Sequence, residues 1–485
     1  MEPLDKAAWR ARGVDALILA ATLIPLLITA HLPLSDLPNH IAREVVLRDL
    51  ATSEVLGRYY AVHWALVPNL ALELFVQPLA RVLSVDLAVR LFVIATVVLL
   101  FAGVRGVNRA VGGARATSYR VAPLLIYGGP FQFGFLNFCF GIGAALWLGG
   151  WYLRGRERGG WSVALVSLLG ASGLLLCHPV AFVLFAVLVG SAELLAAWPG
   201  GARAIVGRGL WVACVLVPPL LLFALASPTA GEAGKPMIWS TLQQRAESIA
   251  AITLFSSPIP ELALLLAALL GLAAALGTRA IRLHPLALSV GIMVLVWAVA
   301  PRSAMGGGYL DYRLPWATAL LALGLVVPGP RWDRFVRALA GWFGALAVWR
   351  VLLIAVLWLR WEAVIAPIDA SMARLPEGAR LLVVQGPTRT SAGRQPSLLH
   401  VGSYAVARVH AFTPTLYAGI SGQVLDFRAP WRRLRHFTAP DALTRVDPAY
   451  THVLVIEPAT ARLAPDLPLQ SLAHGERFAL YRVPR

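Results

Sequence analysis

The stretch His31-Leu-Pro-Leu-Ser-Asp36-Leu-Pro-Asn39-His40-Ile-Ala-Arg43-Glu44 concentrates a carboxylate, an amide, an imidazole and a guanidinium just past an apolar segment. That segment, 14–32, is long enough to cross a bilayer at about 1.5 Å rise per residue against roughly 30 Å of hydrocarbon, so the polar run sits at a membrane face. If Pro38 opens a short helix, Asn39 and Arg43 share one face, His40 and Glu44 another, and Asp36 stands in front as a cap. Such groups can bind and act on a polar substrate at the membrane surface. Alternatively, Asp36 does no more than cap an interfacial helix. Asp36 and His40, at four-residue spacing, also suit a divalent metal, but two ligands are too few to define a metal site, and the sequence specifies no cofactor.

The same residue types recur wherever an apolar run is broken. Gly128-Gly-Pro130-Phe-Gln132-Phe-Gly134-Phe-Leu-Asn137 carries Gln132 and Asn137, and His178 precedes Pro179. Lys235 and Lys6 are the only lysines, and Asp311 and Arg313 close a Gly-rich loop. His63 follows Arg58, Tyr59 and Tyr60 in an amphipathic stretch. Charges at membrane depth are expensive and usually functional, so one cavity could collect Asp36, His40, His178, Lys235, Asp311 and Arg313, with Asn39, Arg43, His63, Gln132 and Asn137 as further binding groups. Structural alternatives stand beside each. His178 can satisfy a carbonyl freed by Pro179, Asp311 and Arg313 can form a local pair, and the stripe Phe131, Phe133, Phe135, Phe138 and Phe140 fits packing or an interfacial belt.

Elements that would position these residues follow from composition. The chain has 485 residues, 58% hydrophobic and 14% charged, whereas soluble domains carry about a quarter charged residues. It reads as a polytopic membrane protein. The net charge of +17 resides mostly in arginines between apolar segments, which orient a membrane protein and do not indicate nucleic acid. Apolar runs are expected to span at 14–32, 86–104, 121–153 and 161–198 (two short spans each), 210–226, 261–277, 285–300, 314–327 and 338–359, about eleven helices in all. Residues 33–85 contain no run of spanning length and should form an ordered external loop along the membrane. The first segment is long for a cleavable signal, and Ile28-Thr-Ala30 is a poor cleavage site, so it reads as a span. Arginine groups at 105–120, 154–158, 203–208, 279–282 and 331–337 alternate with the loops that carry the candidate site residues, which places the N-terminus in the cytoplasm and the C-terminus outside. Cys139, Cys177 and Cys214 lie in apolar segments and form no disulfide or metal pattern. From about residue 366 the composition changes. Segments 376–385, 451–457 and 477–482 read as short buried strands and 398–409 as a helix, which predicts an external mixed α/β domain over 366–485 after a membrane domain over 1–365. Arg428, Arg432, Arg433, Arg435 and His436 give that domain a basic patch.

This layout resembles the GT-C superfamily of membrane glycosyltransferases, which includes protein O-mannosyltransferases and aminoarabinose transferases. The resemblance rests on an acid near the start of a large first external loop, Asp36, on the approach to the second span through Pro68 and Asp86-Leu-Ala-Val-Arg90-Leu, on Tyr312-Arg313-Leu-Pro315 opening a late span, and on the external C-terminal domain. It implies a GT-C-like membrane all-α bundle in the bacterial inner membrane, with a small soluble α/β domain in the periplasm. It further implies transfer of a sugar from a polyprenyl-phosphate donor to a glycan, lipid or protein acceptor on the outer face. Asp36 would be the general base that takes the acceptor proton, and Lys235 and Arg313 the cations that stabilise the departing lipid phosphate. The sequence departs from the commoner family pattern in having Leu37, not a second acid, next to Asp36. A transporter or flippase of a lipid-linked glycan, or a non-catalytic envelope assembly protein, are the other functions compatible with this layout.

Overall fold

The structure is a computed structural model that describes residues 3–158, 160–229, 235–253, 258–304, 307–329, 334–387, 398–420, 422–436 and 439–484. Glu232 and Arg331, which the sequence puts in loops, lie outside the described residues. Among the described residues six helices are long and apolar enough to cross a membrane: Trp9–Ile28, Val85–Arg115, Leu136–Gly155, Pro179–Ala226, Ile259–Gly277 and Arg334–Met372. The fourth is two helices, Pro179–Ala197 and Gly201–Ala226, which meet at the turn Trp198–Gly200. Shorter apolar helices cover Trp161–Cys177 and Pro285–Val299, and Leu310–Gly324 adds another. Each expected span from 161 onward therefore has a helical counterpart. The centre of the bundle is the seam between Val85–Gly112 and Leu136–Gly155, where a Cβ at Gly103 would lie 2.5 Å from the Gly143 carbonyl oxygen and one at Gly150 would lie 2.4 Å from the Gly106 carbonyl carbon. Small residues let these two backbones touch where lipid provides no hydrophobic drive.

One expectation is corrected. The 121–153 run holds one full helix, not two. Ahead of Leu136 the chain is a string of short pieces, Ser118–Val121, Pro123–Ile126 and Gly129–Phe133. Pro123, Pro130 and the glycines between them interrupt the helical ladder. The string runs beside the first helix, for the Tyr119 hydroxyl donates to the Asp15 carboxylate, the Tyr127 hydroxyl to the Thr22 carbonyl, and Ser35 N–H to the Gln132 carbonyl. Broken backbone at membrane depth is tolerated only where its polar groups find protein partners. Here Trp316 Nε1 donates to Leu125 O at 2.7 Å, Gln132 Nε2 and Arg350 Nη2 donate to Tyr127 O at 2.8 and 2.6 Å, and Gly129 N–H donates to Ala251 O at 2.7 Å. Arg350 is itself buried and paired with Glu261 at 2.7 Å.

The C-terminal residues build a four-stranded mixed sheet. Leu381–Gln385 pairs parallel with His452–Ile456, which pairs antiparallel with Phe478–Arg482, followed by the edge strand Gln470–His474. The first three match the expected strands. The exposed edge strand Gln470–His474 lacks the apolar pattern that marks the others. The expected helix at 398–409 is shorter, a 3-10 turn Val401–Ser403 running into Tyr404–Val409. The first loop, 33–85, is ordered as Leu37–Asp49, Glu54–Tyr59 and Ala71–Leu79, and it is built into the C-terminal part. Tyr60–Val62 pairs antiparallel with Leu425–Phe427, and Ala42, Val46, Leu56 and Tyr60 share a core with Leu382, Phe412 and Val453. Arg408 completes the junction, holding Asp86 through two bonds of 2.9 Å and Asp369 through others of 2.9 to 3.2 Å. Members of the expected basic patch bond locally, Arg428 Nε to Tyr60 O at 3.1 Å and Arg432 to Asp426.

Candidate functional site

Pro38 opens the helix Leu37–Asp49 as expected, and Asp36 occupies the N-cap position, but its side chain makes no capping bond. Its carboxylate turns away from the helix. Oδ1 accepts the Tyr417 hydroxyl at 2.9 Å, the same hydroxyl lies 2.8 Å from His400 Nε2, and His400 Nε2 lies 3.6 Å from Oδ1. The backbone of Asp36 is held by the broken string, its N–H donating to Phe133 O at 3.0 Å. Only 5% of the residue is exposed. Burial, opposed by the Tyr417 hydrogen bond and the charge of Arg313, pushes the Asp36 carboxyl up to about 7. A carboxylate in that range changes protonation near neutral pH, which suits a general base.

Gly134 is what lets the string approach so closely. Its φ is +91°, and a Cβ there would sit 3.0 Å from Asp36 N and 3.1 Å from Asp36 Cβ, while its carbonyl accepts His40 Nε2 at 3.2 Å. An alanine would carry left-handed strain and push on the Asp36 backbone at once. Gly134→Ala is expected to reduce turnover per folded molecule about ten- to a hundredfold, because small displacements of a reacting group are that costly. Monodisperse yield by size exclusion, measured with turnover on the same sample, separates this from simple misfolding, and parental turnover would remove Gly134 from the site.

Arg313 is the cation that the fold brings to Asp36. It is not paired with Asp311. Asp311 instead binds Arg302 at 3.1 Å and the Ser240 hydroxyl at 2.7 Å, because side chains two residues apart on a helix do not face each other. The Arg313 guanidinium lies 4.1 Å from the Phe135 ring centroid, and Nη1 lies 3.1 Å from His178 Nε2. His178 Nδ1 already accepts the Val180 N–H at 3.1 Å as the N-cap of Pro179–Ala197. A neutral imidazole has one acceptor nitrogen. With that acceptor engaged at the cap, Nε2 carries hydrogen and Arg313 Nη1 faces another donor. Its Nε has no hydrogen-bond partner either. This guanidinium is better matched to an anion than to its present neighbour.

The remaining candidates divide. Asn39 Oδ1 accepts the Ser403 hydroxyl at 2.8 Å, fastening the helix to the C-terminal part. Burial and then Arg43 hold His40 down to about 3, so it is a neutral donor to Gly134. Arg43 pairs with the buried Glu73, and Glu44 with Gln77 Nε2 at 2.6 Å. Gln132 braces the broken string, as described above. Asn137 is a latch, its Oδ1 accepting Leu72 N–H at 2.7 Å and its Nδ2 donating to Asn69 O at 2.8 Å. His63 is exposed, with its backbone bonded to Val424. Lys235 is exposed on the loop whose Ile238 pairs with Ser303, in the loop that leads to Arg313. For the metal question, no group of three His, Cys, Asp or Glu side chains within ligating reach occurs among the described residues, and His40 Nε2 is engaged by Gly134. Sequence reasoning missed Tyr417, His400 and Tyr309. Tyr309 belongs to an aromatic group with Phe133 and Phe135 at 5.5 and 6.0 Å, under the Arg302 guanidinium at 4.7 Å. Its left-handed backbone, φ +60°, is uncommon for an aromatic residue and tends to mark functional loops.

No protein-family profile matches the chain, and no curated protein matches it in sequence. Solved structures of ArnT from Cupriavidus metallidurans share its fold from end to end. The form bound to undecaprenyl phosphate is 13% identical with a TM-score of 0.53, covering 98% of this chain and 98% of that one. The apo form is 13% identical with a TM-score of 0.54, covering 99% and 98%. The chain therefore shares the fold of these two structures.

Proposed function

We propose that this GT-C-like chain transfers a sugar from a polyprenyl-phosphate donor to the hydroxyl of a glycan, lipid or protein acceptor at the outer face of the membrane. One observation carries the reading: the Asp36 carboxylate is buried, free of any capping bond, and held by Tyr417 within the field of Arg313. A cap needs none of these. In the ionised form Asp36 takes the proton of the acceptor hydroxyl as its oxygen attacks the sugar carbon. The bond from that carbon to the lipid phosphate breaks, and Arg313 meets the negative charge that grows on the departing phosphate. Lys235 is a second cation for the phosphate, on the loop paired with the one that ends at Arg313. The ArnT form with undecaprenyl phosphate bound supports a lipid phosphate as the partner. Alternation of arginine-rich and polar loops, with the broken string before Leu136 counted as a crossing beside the first helix, supports about eleven crossings, a cytoplasmic N-terminus and an external C-terminal domain.

Purified protein in detergent or vesicles, given undecaprenyl-phosphate sugars and a panel of hydroxyl acceptors, is expected to release undecaprenyl phosphate as sugar appears on the acceptor. Movement of intact lipid-linked sugar across the vesicle with no bond cleaved would overturn the transferase reading and establish a flippase.

A further inference from the structure

The C-terminal part of the chain reaches into the Asp36 site with two side chains, Tyr417 and His400, that no motif announces. The contacts form one directed chain. Ionised Asp36 can only accept, so the 2.9 Å bond has the Tyr417 hydroxyl donating to Oδ1. The Tyr417 oxygen is then free to accept, and His400 Nε2 at 2.8 Å must carry the hydrogen. His400 stacks edge-on against the Tyr417 ring at 4.8 Å, and its Nδ1 is buried without a partner. We infer that Tyr417, oriented by His400, is a positioning residue that holds the Asp36 carboxylate in its working rotamer, so that the C-terminal domain completes the active site. This rests on the reading of Asp36 as the base.

Two alternatives are decided by the surroundings. A relay that drains the proton from Asp36 would need His400 to become charged, but burial holds it down to about 3. A purely structural bond is unnecessary for docking, because Arg408, Ser403 and the strand pair Tyr60–Val62 with Leu425–Phe427 already join the C-terminal part to the first loop and the bundle. The titratable and charged groups around Asp36 are Tyr417 and His400 from the C-terminal part, Arg313 and Tyr309 from the late span and its cap, and His40 on the following helix. Of these, Tyr417 and Arg313 favour the ionised carboxylate. Burial holds the Tyr417 hydroxyl well above its usual range, so it remains a donor throughout the working pH.

Tyr417→Phe removes one hydroxyl and leaves the ring. The Asp36 midpoint is then expected to rise by about one pH unit or more, the size of one hydrogen bond to a charged group. Turnover at pH 7 should fall about fivefold, the loss of carboxylate that a one-unit shift gives, and recover at higher pH. His400→Leu should move the midpoint the same way, and His400→Gln, whose amide can still donate to Tyr417, should restore it. The midpoint is read without substrate, as the Asp36 carboxyl band in infrared difference spectra with Asp36→Asn as the blank, and is compared with the pH profile of turnover. A folded Tyr417→Phe protein with the parental midpoint overturns the inference. If that variant does not fold, an unshifted midpoint in His400→Leu does so. Full turnover by Asp36→Asn strikes the base assignment itself, and a shifted Tyr417→Phe midpoint in that case shows the hydrogen bond to be real but outside catalysis.

Discussion

Asp36→Asn is expected to leave the protein folded and to lower transfer by a factor of about a hundred to ten thousand, the usual loss when a general base is removed. Asparagine keeps the size of aspartate and can still accept from Tyr417, but it cannot take a proton near neutral pH. A capping role would predict instead that Asn is tolerated and that Ala costs about 1 kcal/mol. The structure already weakens that alternative, because the Asp36 side chain accepts nothing from the helix it precedes. The pH dependence has a definite sign. Burial raises the carboxyl to about 7 in the folded protein from a usual 3.8, so the stability that Asp36 contributes is fully present below about 3.8 and is lost as pH rises through about 7. Turnover follows the opposite course, rising with pH through the same value as the base ionises. Asp36→Asn should therefore be at least as stable as the parent above pH 7, while being inactive. The measurement is release of undecaprenyl phosphate together with the thermal transition of the same samples from pH 5 to 9. A stable Asp36→Asn protein that turns over normally removes Asp36 from the chemistry.

How far the site could be read in advance depended on whether its signal was local. Asp36 and the helix after Pro38 stood out because an acid, a proline and a polar cluster lie together beside an apolar segment. The spans from 161 onward and three of the four sheet strands were legible from apolar runs and their bounding Pro, Gly and Asp. The broken string before Leu136 was not, since hydropathy records only that a run is apolar. What makes irregular backbone acceptable there is a set of distant partners: Trp316 and Arg350 donate to its carbonyls, and the Ala251 carbonyl accepts the Gly129 N–H. The Asp311 to Arg313 pair failed for a related reason. Adjacent charges suggest each other, but helix geometry sends Asp311 to Arg302 and Arg313 to His178. Tyr417 and His400 carry no local mark, one within Thr413-Pro-Thr-Leu-Tyr417 and the other at the start of a helical stretch. Only the docking of the C-terminal part onto the first loop places them beside Asp36. Asn137 and Asn39 looked like binding groups, but they are latches, because a buried amide needs partners wherever it lies.

Arg313→Met separates leaving-group chemistry from packing, since methionine keeps an apolar stem against Phe135 and loses only the charged head. If Arg313 merely stacks at 4.1 Å on that ring, Met should be accepted with little change in turnover or stability. If it meets the lipid phosphate, turnover is expected to fall about a hundred- to a thousandfold, as when one preorganised stabiliser of developing charge is removed. Arg313→Lys should recover part of the loss, because an ammonium supplies the charge without the planar fork. The contacts of Arg313 favour the second outcome. Nη1 faces a His178 nitrogen that carries hydrogen, and Nε has no hydrogen-bond partner, so a phosphate oxygen would relieve two unsatisfied donors at once. Binding of undecaprenyl phosphate, followed by tryptophan fluorescence, should weaken in parallel with turnover and should become less salt-sensitive, because one phosphate contact has been removed. A variant that binds undecaprenyl phosphate as the parent does, but turns over slowly, would confine Arg313 to the transition state. Parental binding and parental turnover together would leave Lys235 as the cation to test next.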